Sequence, residues 1–218
     1  MEKSKNIFVR IYKWLCRFVI VVGMRIVFRP KVRYIDKAID KEIRKKPSII
    51  ICNHTSLYDA LVIYSALNNH NGYILTAKDW AEKKFAGSVI RGNRTILIDR
   101  MGLDTGWIRD CKKVIDDGFS VVIFPEGHRS KTDDLLEFKG GFVMLAQMTG
   151  APIIPVCLTG DYHKFIGPRK RILVDIPMQL RKPEAGMNTD YINDECVRFG
   201  NHVQNMKVKS ESIFGPLK

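Results

Sequence analysis

The sequence is short of covalent ties. Its five cysteines, Cys16, Cys52, Cys111, Cys157 and Cys196, are scattered over 218 residues and form no Cys-x-x-Cys pair. That argues against a disulfide framework or a structural zinc site and favours buried thiols in a reducing compartment. No Gly-x-Ser-x-Gly elbow is present, and Cys52 falls inside a strand-like run rather than on a turn, so neither a serine nor a cysteine nucleophile is offered. Long uncharged runs are missing too. In the apolar amino-terminal stretch the longest is Phe18 to Met24, well below the roughly 20 residues a membrane-spanning helix needs. Acidic residues are in deficit, 23 against 36 lysines and arginines, a formal +13. Such a field attracts anions, whether nucleic acid, anionic lipid or a phosphate-bearing substrate. Nucleic acid fits worst, because the aromatics are not interleaved as a stacking platform and no recognised module appears.

With 45% hydrophobic residues the chain can bury one sizeable core. We expect an amino-terminal segment, residues 1–29, followed by one main domain, residues 30–218. Within Ile7 to Phe28, Arg10, Lys13, Arg17 and Arg25 fall within about 120° of one another at 100° per residue, beside Ile7, Phe8, Ile11, Trp14, Leu15, Phe18 and Val22. A basic stripe beside an apolar face describes a helix lying in a lipid headgroup region, and equally one packed on the protein's own core. No small-residue cleavage site follows it.

After Pro30, short β-rich runs alternate with helical patterns, without repeats or low-complexity tracts. Strands are expected at Ser48 to Cys52, Tyr73 to Thr76, Thr95 to Ile98, Ser120 to Phe124, Ile153 to Leu158 and Arg171 to Ile176. Helices are expected at Ser56 to Leu67, Lys78 to Phe85, Thr105 to Asp116, Gly141 to Met148 and Tyr191 to Lys209. Near-continuous apolar strands predict an α/β fold, a mostly parallel central sheet flanked by helices. Ligands of such sheets gather at the carboxyl ends of strands.

Three loops stand at such ends. In Asn53-His54-Thr55-Ser56-Leu57-Tyr58-Asp59, His54 follows a strand, and Ser56 with Asp59 reads as a helix cap. The same spacing lets the Asp59 carboxylate reach His54, fix its tautomer and leave the other ring nitrogen to accept a proton from an alcohol. In Pro125-Glu126-Gly127-His128-Arg129-Ser130, Gly127 permits a tight turn and Arg129 offers a planar fork for phosphate; an ordinary turn with a solvated arginine is the alternative. Asp99-Arg100 closes a third strand, as another guanidinium site or as a surface ion pair. Lys139-Gly140-Gly141 opens a helix and makes a possible anion site. Pro152 and Pro155 suit the first residue of a strand or an edge strand. His70, His163 and His202 belong to none of these segments and read as surface or hydrogen-bonded histidines.

Taken in order, these segments resemble the four sequence blocks of the 1-acylglycerol-3-phosphate (lysophosphatidic acid) acyltransferase family. The resemblance covers roughly Ser48 to Thr159. His54 to Asp59 is the His-x-x-x-x-Asp block, Gly92 to Arg100 the second, Phe124 to Ser130 the third and Ile153-Ile154-Pro155-Val156 the fourth. The third departs from the family's Phe-Pro-Glu-Gly-Thr-Arg-Ser at His128, a titratable ring where a small hydroxyl is usual. The resemblance implies direct acyl transfer from acyl-CoA or acyl-carrier protein, without cofactor or metal. We expect the acceptor to be the free hydroxyl of lysophosphatidic acid, giving phosphatidic acid, at the cytoplasmic face of a membrane and with no nucleic-acid partner; another lysophospholipid or lipid hydroxyl, or a non-catalytic membrane-binding relative, is the alternative. The resemblance also implies His54 as general base and Asp59 as its orienting partner. Arg100, Glu126, Gly127 and Arg129 would line the acceptor site, and Pro155 would shape the acyl or donor channel.

Overall fold

A computed structural model describes residues 7–43, 45–67, 72–83, 87, 90, 93–99, 105–132, 134–183 and 186–215. The chain runs α1 (Ile7–Phe28), β1 (Lys31–Tyr34), α2 (Lys37–Ile43), β2 (Ile49–Cys52), α3 (Asp59–Ala66), β3 (Tyr73–Ala77), α4 (Lys78–Ala81) and β4 (Thr95–Ile98). It continues through α5 (Gly106–Asp116), β5 (Val121–Ile123), α6 (Gly141–Thr149), β6 (Ile153–Thr159), β7 (Arg171–Val174) and α7 (Thr189–Phe214). The seven strands form one sheet in the order β1-β7-β6-β2-β5-β3-β4, with every neighbouring pair parallel except β6 and β7. The expected α/β architecture and all six expected strands are present.

The sheet divides two cores, because side chains alternate across it with a period of two. Ile49, Ile51, Val121, Ile123, Ile153 and Leu173 face α5, α6 and α7, meeting Val114, Phe142, Leu145 and Phe199. Ile50, Cys52, Val122, Ile154, Val156 and Ile172 face the other way, onto Phe28 of α1, Ile39 of α2 and Val62, Ile63 and Tyr64 of α3. Strands buried on both faces read as the continuous apolar runs of the sequence.

Several expectations change. The helix expected at Lys78 to Phe85 ends at Ala81. The first strand, Lys31–Tyr34, and the short α2 were not anticipated. β1 is an edge strand with alternating exposed and half-buried residues and two cations, so it carries little apolar signal. Pro155 lies not at an edge but in β6, between β2 and β7. It is tolerated there because it stands just past the last registered β6–β7 pair, Val156 with Val174. Its carbonyl accepts from Asp175 N–H, but its missing N–H lets the antiparallel ladder stop. The last helix begins earlier than its apolar pattern, at Thr189, because the Asn188 side chain accepts from Tyr191 N–H and caps it.

The Gly140-Gly141 pair has a steric reason. A Cβ on Gly140 would stand 2.3 Å from Ile192, and one on Gly141 2.6 Å from Trp107, so α6 approaches α7 and α5 more closely than any side chain would permit. α1 joins the core through its carboxyl-terminal half, where Phe28 is buried and Ile20, Val21, Met24 and Val27 are partly so. Phe8, Ile11, Tyr12, Trp14, Leu15, Phe18, Val19 and Ile26 remain exposed. No described helix is long and apolar enough to cross a membrane.

Candidate active site

β2 and β5 are adjacent, parallel and in register, Ile51 opposite Ile123. The loops leaving their carboxyl ends, from Asn53 and from Phe124, therefore lie side by side at the crossover of the sheet. The β2 loop is held on several sides. The buried Asn53 amide donates to Leu158 C=O at 3.0 Å and accepts from Leu158 N–H at 2.7 Å, tying the loop to β6. His54 N–H donates to Glu126 Oε1 at 2.6 Å, and His54 C=O accepts from Ser130 N–H at 2.8 Å.

His54 Nδ1 lies 3.0 Å from Asp59 Oδ2. A carboxylate only accepts, so Nδ1 carries the proton and Nε2 is the nitrogen left for chemistry. The imidazole stacks on Phe124, centroids 4.3 Å apart, with its side chain 19% exposed, while Asp59 is wholly buried. The helix starts at Asp59 rather than at Ser56. Asp59 Oδ2 also accepts from Thr55 N–H and Ser56 N–H, both at 2.7 Å, which winds these residues into a turn upstream of α3. The Ser56 side chain accepts from Tyr58 N–H at 3.3 Å, and its C=O accepts from Asp59 N–H at 3.1 Å.

The other carboxylate oxygen has a partner that the sequence did not reveal. Tyr162 Oη–H donates to Asp59 Oδ1 at 2.5 Å across 103 residues. Lys170 Nζ lies 4.4 Å over the Tyr162 ring and donates to Gly160 C=O. Burial works to raise the Asp59 carboxyl, but the bonds from His54 and Tyr162, the Lys170 charge and the Ser56 N–H outweigh it and hold Asp59 below its ordinary range. Burial and the neighbouring carboxylate push the Tyr162 phenol far up, keeping it a donor. No local pattern marks Tyr162; its contact exists only because β6 runs beside β2.

Glu126, 2% exposed, gives one oxygen to His54 N–H and the other to Leu136 N–H. Its carboxyl is raised by burial, which those two bonds only partly offset. Glu126 thus ties the His54 loop to the segment after β5. Gly127 has φ +71°, the left-handed region, and the Lys139 side chain packs against the position its Cβ would take, 3.0 Å from Nζ. His128 and Arg129 are exposed, next to the Ser130 that bonds His54. Arg100 lies outside the described residues, as does His70. His163 is exposed, and His202 is paired with Asp175 at 3.0 Å. Cys52 is fully buried within β2, and its thiol is raised, first by burial and then by the Asp59 charge, so it is no nucleophile. Among the described residues no group of three or more His, Cys, Asp or Glu could hold a metal ion.

A partly exposed histidine whose Nδ1 is held by a buried carboxylate, beside an arginine-bearing loop, is an arrangement for activating a hydroxyl near an anion. The acyltransferase family model matches residues 31–159, more than half of the chain. The chain belongs to the acyltransferase family. A protein of Cocos nucifera named 1-acyl-sn-glycerol-3-phosphate acyltransferase is 34% identical over 129 residues, 56% of this chain and 40% of its own. One from Mycoplasma genitalium, named a probable 1-acyl-sn-glycerol-3-phosphate acyltransferase, is 26% identical over 162 residues, 72% of this chain and 57% of its own. The chain spans about half the length of these relatives. The crystal structure of the 1-acyl-sn-glycerophosphate (LPA) acyltransferase PlsC from Thermotoga maritima superposes with a TM-score of 0.67 at 18% identity. It covers 100% of this chain and 86% of that one, and so shares the fold. The span matched to the family holds His54, Asp59, Glu126 and Arg129 but ends at Thr159, short of Tyr162 and α7.

Proposed function

We propose that this member of the acyltransferase family moves a fatty acyl group from acyl-CoA or acyl-carrier protein to the free hydroxyl of lysophosphatidic acid, giving phosphatidic acid, at the cytoplasmic face of a membrane. The observation that carries the reading is the His54–Asp59 pair, oriented so that Nε2 is the open nitrogen. His54 Nε2 takes the acceptor hydroxyl's proton as its oxygen attacks the thioester carbonyl. The resulting tetrahedral species collapses, breaking the C–S bond, and the thiolate leaves with the proton that His54 returns. Asp59 stays ionised and stabilises the imidazolium. No acyl-enzyme is formed.

Acceptor recognition falls to Arg129, with Arg100, Glu126 and Gly127 completing the site. Arg129's planar fork matches a phosphate monoester. Glu126 acts by holding the loops together. The names of the relatives point to the same acceptor. Residues 1–29 serve as the membrane-associating segment, with the exposed apolar residues of α1 in the headgroup region.

The test is product formation followed by mass spectrometry, using palmitoyl-CoA or palmitoyl-carrier protein and a panel of lysophospholipids. Phosphatidic acid should form with the wild type and not with His54→Ala, whose fold should persist because the imidazole is partly exposed. Substantial turnover by His54→Ala would remove the general base. Product from a different lysolipid only would keep the chemistry and move the acceptor.

A further inference from the structure

Between β6 and β7 the chain reads His163-Lys164-Phe165-Ile166-Gly167-Pro168-Arg169-Lys170. The loop carries two large apolar side chains into solvent. Ile166 is 85% exposed, the most exposed of the described large hydrophobics, and Phe165 is 60% exposed. Phe165 also has φ +61°, a backbone conformation that disfavours a bulky side chain. The conformation is closed within the loop by Ile166 N–H donating to Lys164 C=O at 2.6 Å, and the loop is also held from outside. Phe165 N–H donates to Val27 C=O at 2.7 Å, and Arg29 Nη2 donates to Gly167 C=O at 3.0 Å. The tip is therefore fastened to the end of α1, beside exposed Ile26.

We propose that this loop is a second membrane contact, distinct from α1, which inserts Phe165 and Ile166 among the acyl chains of an anionic bilayer. Charge selects the occupant. Lys164 and Arg169, both exposed, flank the tip on either side, and the chain carries +13 overall. An apolar tip inside a collar of cations complements a surface with anionic headgroups above hydrocarbon. A single apolar anchor binds membranes only marginally, so a second contact makes attachment stable. The loop also begins at Tyr162, whose ring meets Phe28 at 5.1 Å and Tyr58 at 5.5 Å and whose hydroxyl holds Asp59. Seating the tip would place the His54–Asp59 pair next to the lipid surface.

The experiment is flotation of the full chain with vesicles of phosphatidylcholine alone or of equal parts phosphatidylcholine and phosphatidylglycerol. Ile166→Asp should weaken partition into the anionic vesicles roughly tenfold with an unchanged thermal midpoint, since the side chain is in solvent. Phe165→Gly suits the backbone at that position and should fold at least as well, yet also bind less. In Ile166→Trp, fluorescence beyond that of the wild type should be quenched by brominated phosphatidylcholine. Flotation of Ile166→Asp equal to the wild type would overturn the proposal, as would an Ile166→Trp signal that bound brominated lipid does not quench. Loss of self-association by Ile166→Asp without lipid, together with absent quenching, would assign the tip to a second copy instead. Vesicle binding is read without turnover, so this result stands or falls apart from the acyl-transfer reading.

Discussion

Replacing Tyr162 with phenylalanine removes one oxygen and leaves the ring among Phe28, Tyr58 and the Lys170 ammonium. What is lost is the bond to Asp59 Oδ1, made to a buried carboxylate whose other oxygen already serves His54, Thr55 and Ser56. A hydrogen bond to a charged group is worth roughly 1.5–3 kcal/mol. Taking about 2 kcal/mol, the thermal midpoint of a chain of this size should drop by about 4–8 °C. The sign of the pH dependence follows from Asp59. Its carboxyl is held below the ordinary range, so the stability its bonds supply is fully present above the unfolded value of about 3.9 and is lost as pH falls through the lower folded value. In Tyr162→Phe the carboxyl is less depressed. The stability gap between variant and wild type should therefore be complete at neutral pH and close on acidification. Urea melts at several pH values, with an unchanged denaturant slope, provide the assay. Acyl transfer should lose kcat with KM for the acceptor preserved, because the tyrosine acts through Asp59 on His54 rather than on substrate. Equal midpoints at pH 7, or a gap indifferent to acid, would refute the assigned role.

Arg129→Ala should raise KM for a phosphorylated acceptor about tenfold or more while leaving a phosphate-free lipid alcohol little affected; steady-state kinetics on the two acceptors separates these outcomes. Asn53→Ala strips Leu158 of both backbone partners in a buried site and should cost about 2–4 kcal/mol in denaturant unfolding, with activity falling as the His54 loop loosens. Gly141→Ala places a methyl 2.6 Å from Trp107 and should destabilise by about 1–3 kcal/mol, with a shift in tryptophan emission as the indole moves. Were Gly140-Gly141 kept for an anion instead, that variant would keep its stability and lose phosphate affinity.

The sequence by itself determined the α/β class, the six strands whose runs are apolar on both faces, and the His54-to-Asp59 spacing. These are local properties: a strand covered on both sides must be apolar throughout, and a carboxylate five residues after a histidine at a strand end can turn back to it. It also marked Arg129 and Gly127, because a left-handed turn and a planar cation have their own residue types. Tertiary structure alone decided the rest. β1 is an edge strand with too few apolar residues to announce itself. Pro155 sits inside the sheet because a ladder happens to end beside it. Tyr162 reaches Asp59, and Glu126 reaches His54, only because parallel strands far apart in sequence lie next to each other. Nor could periodicity divide α1 into a half that packs on α3 and a half that remains open; its apolar residues run through both halves, and only the body of the protein decides which of them find a partner.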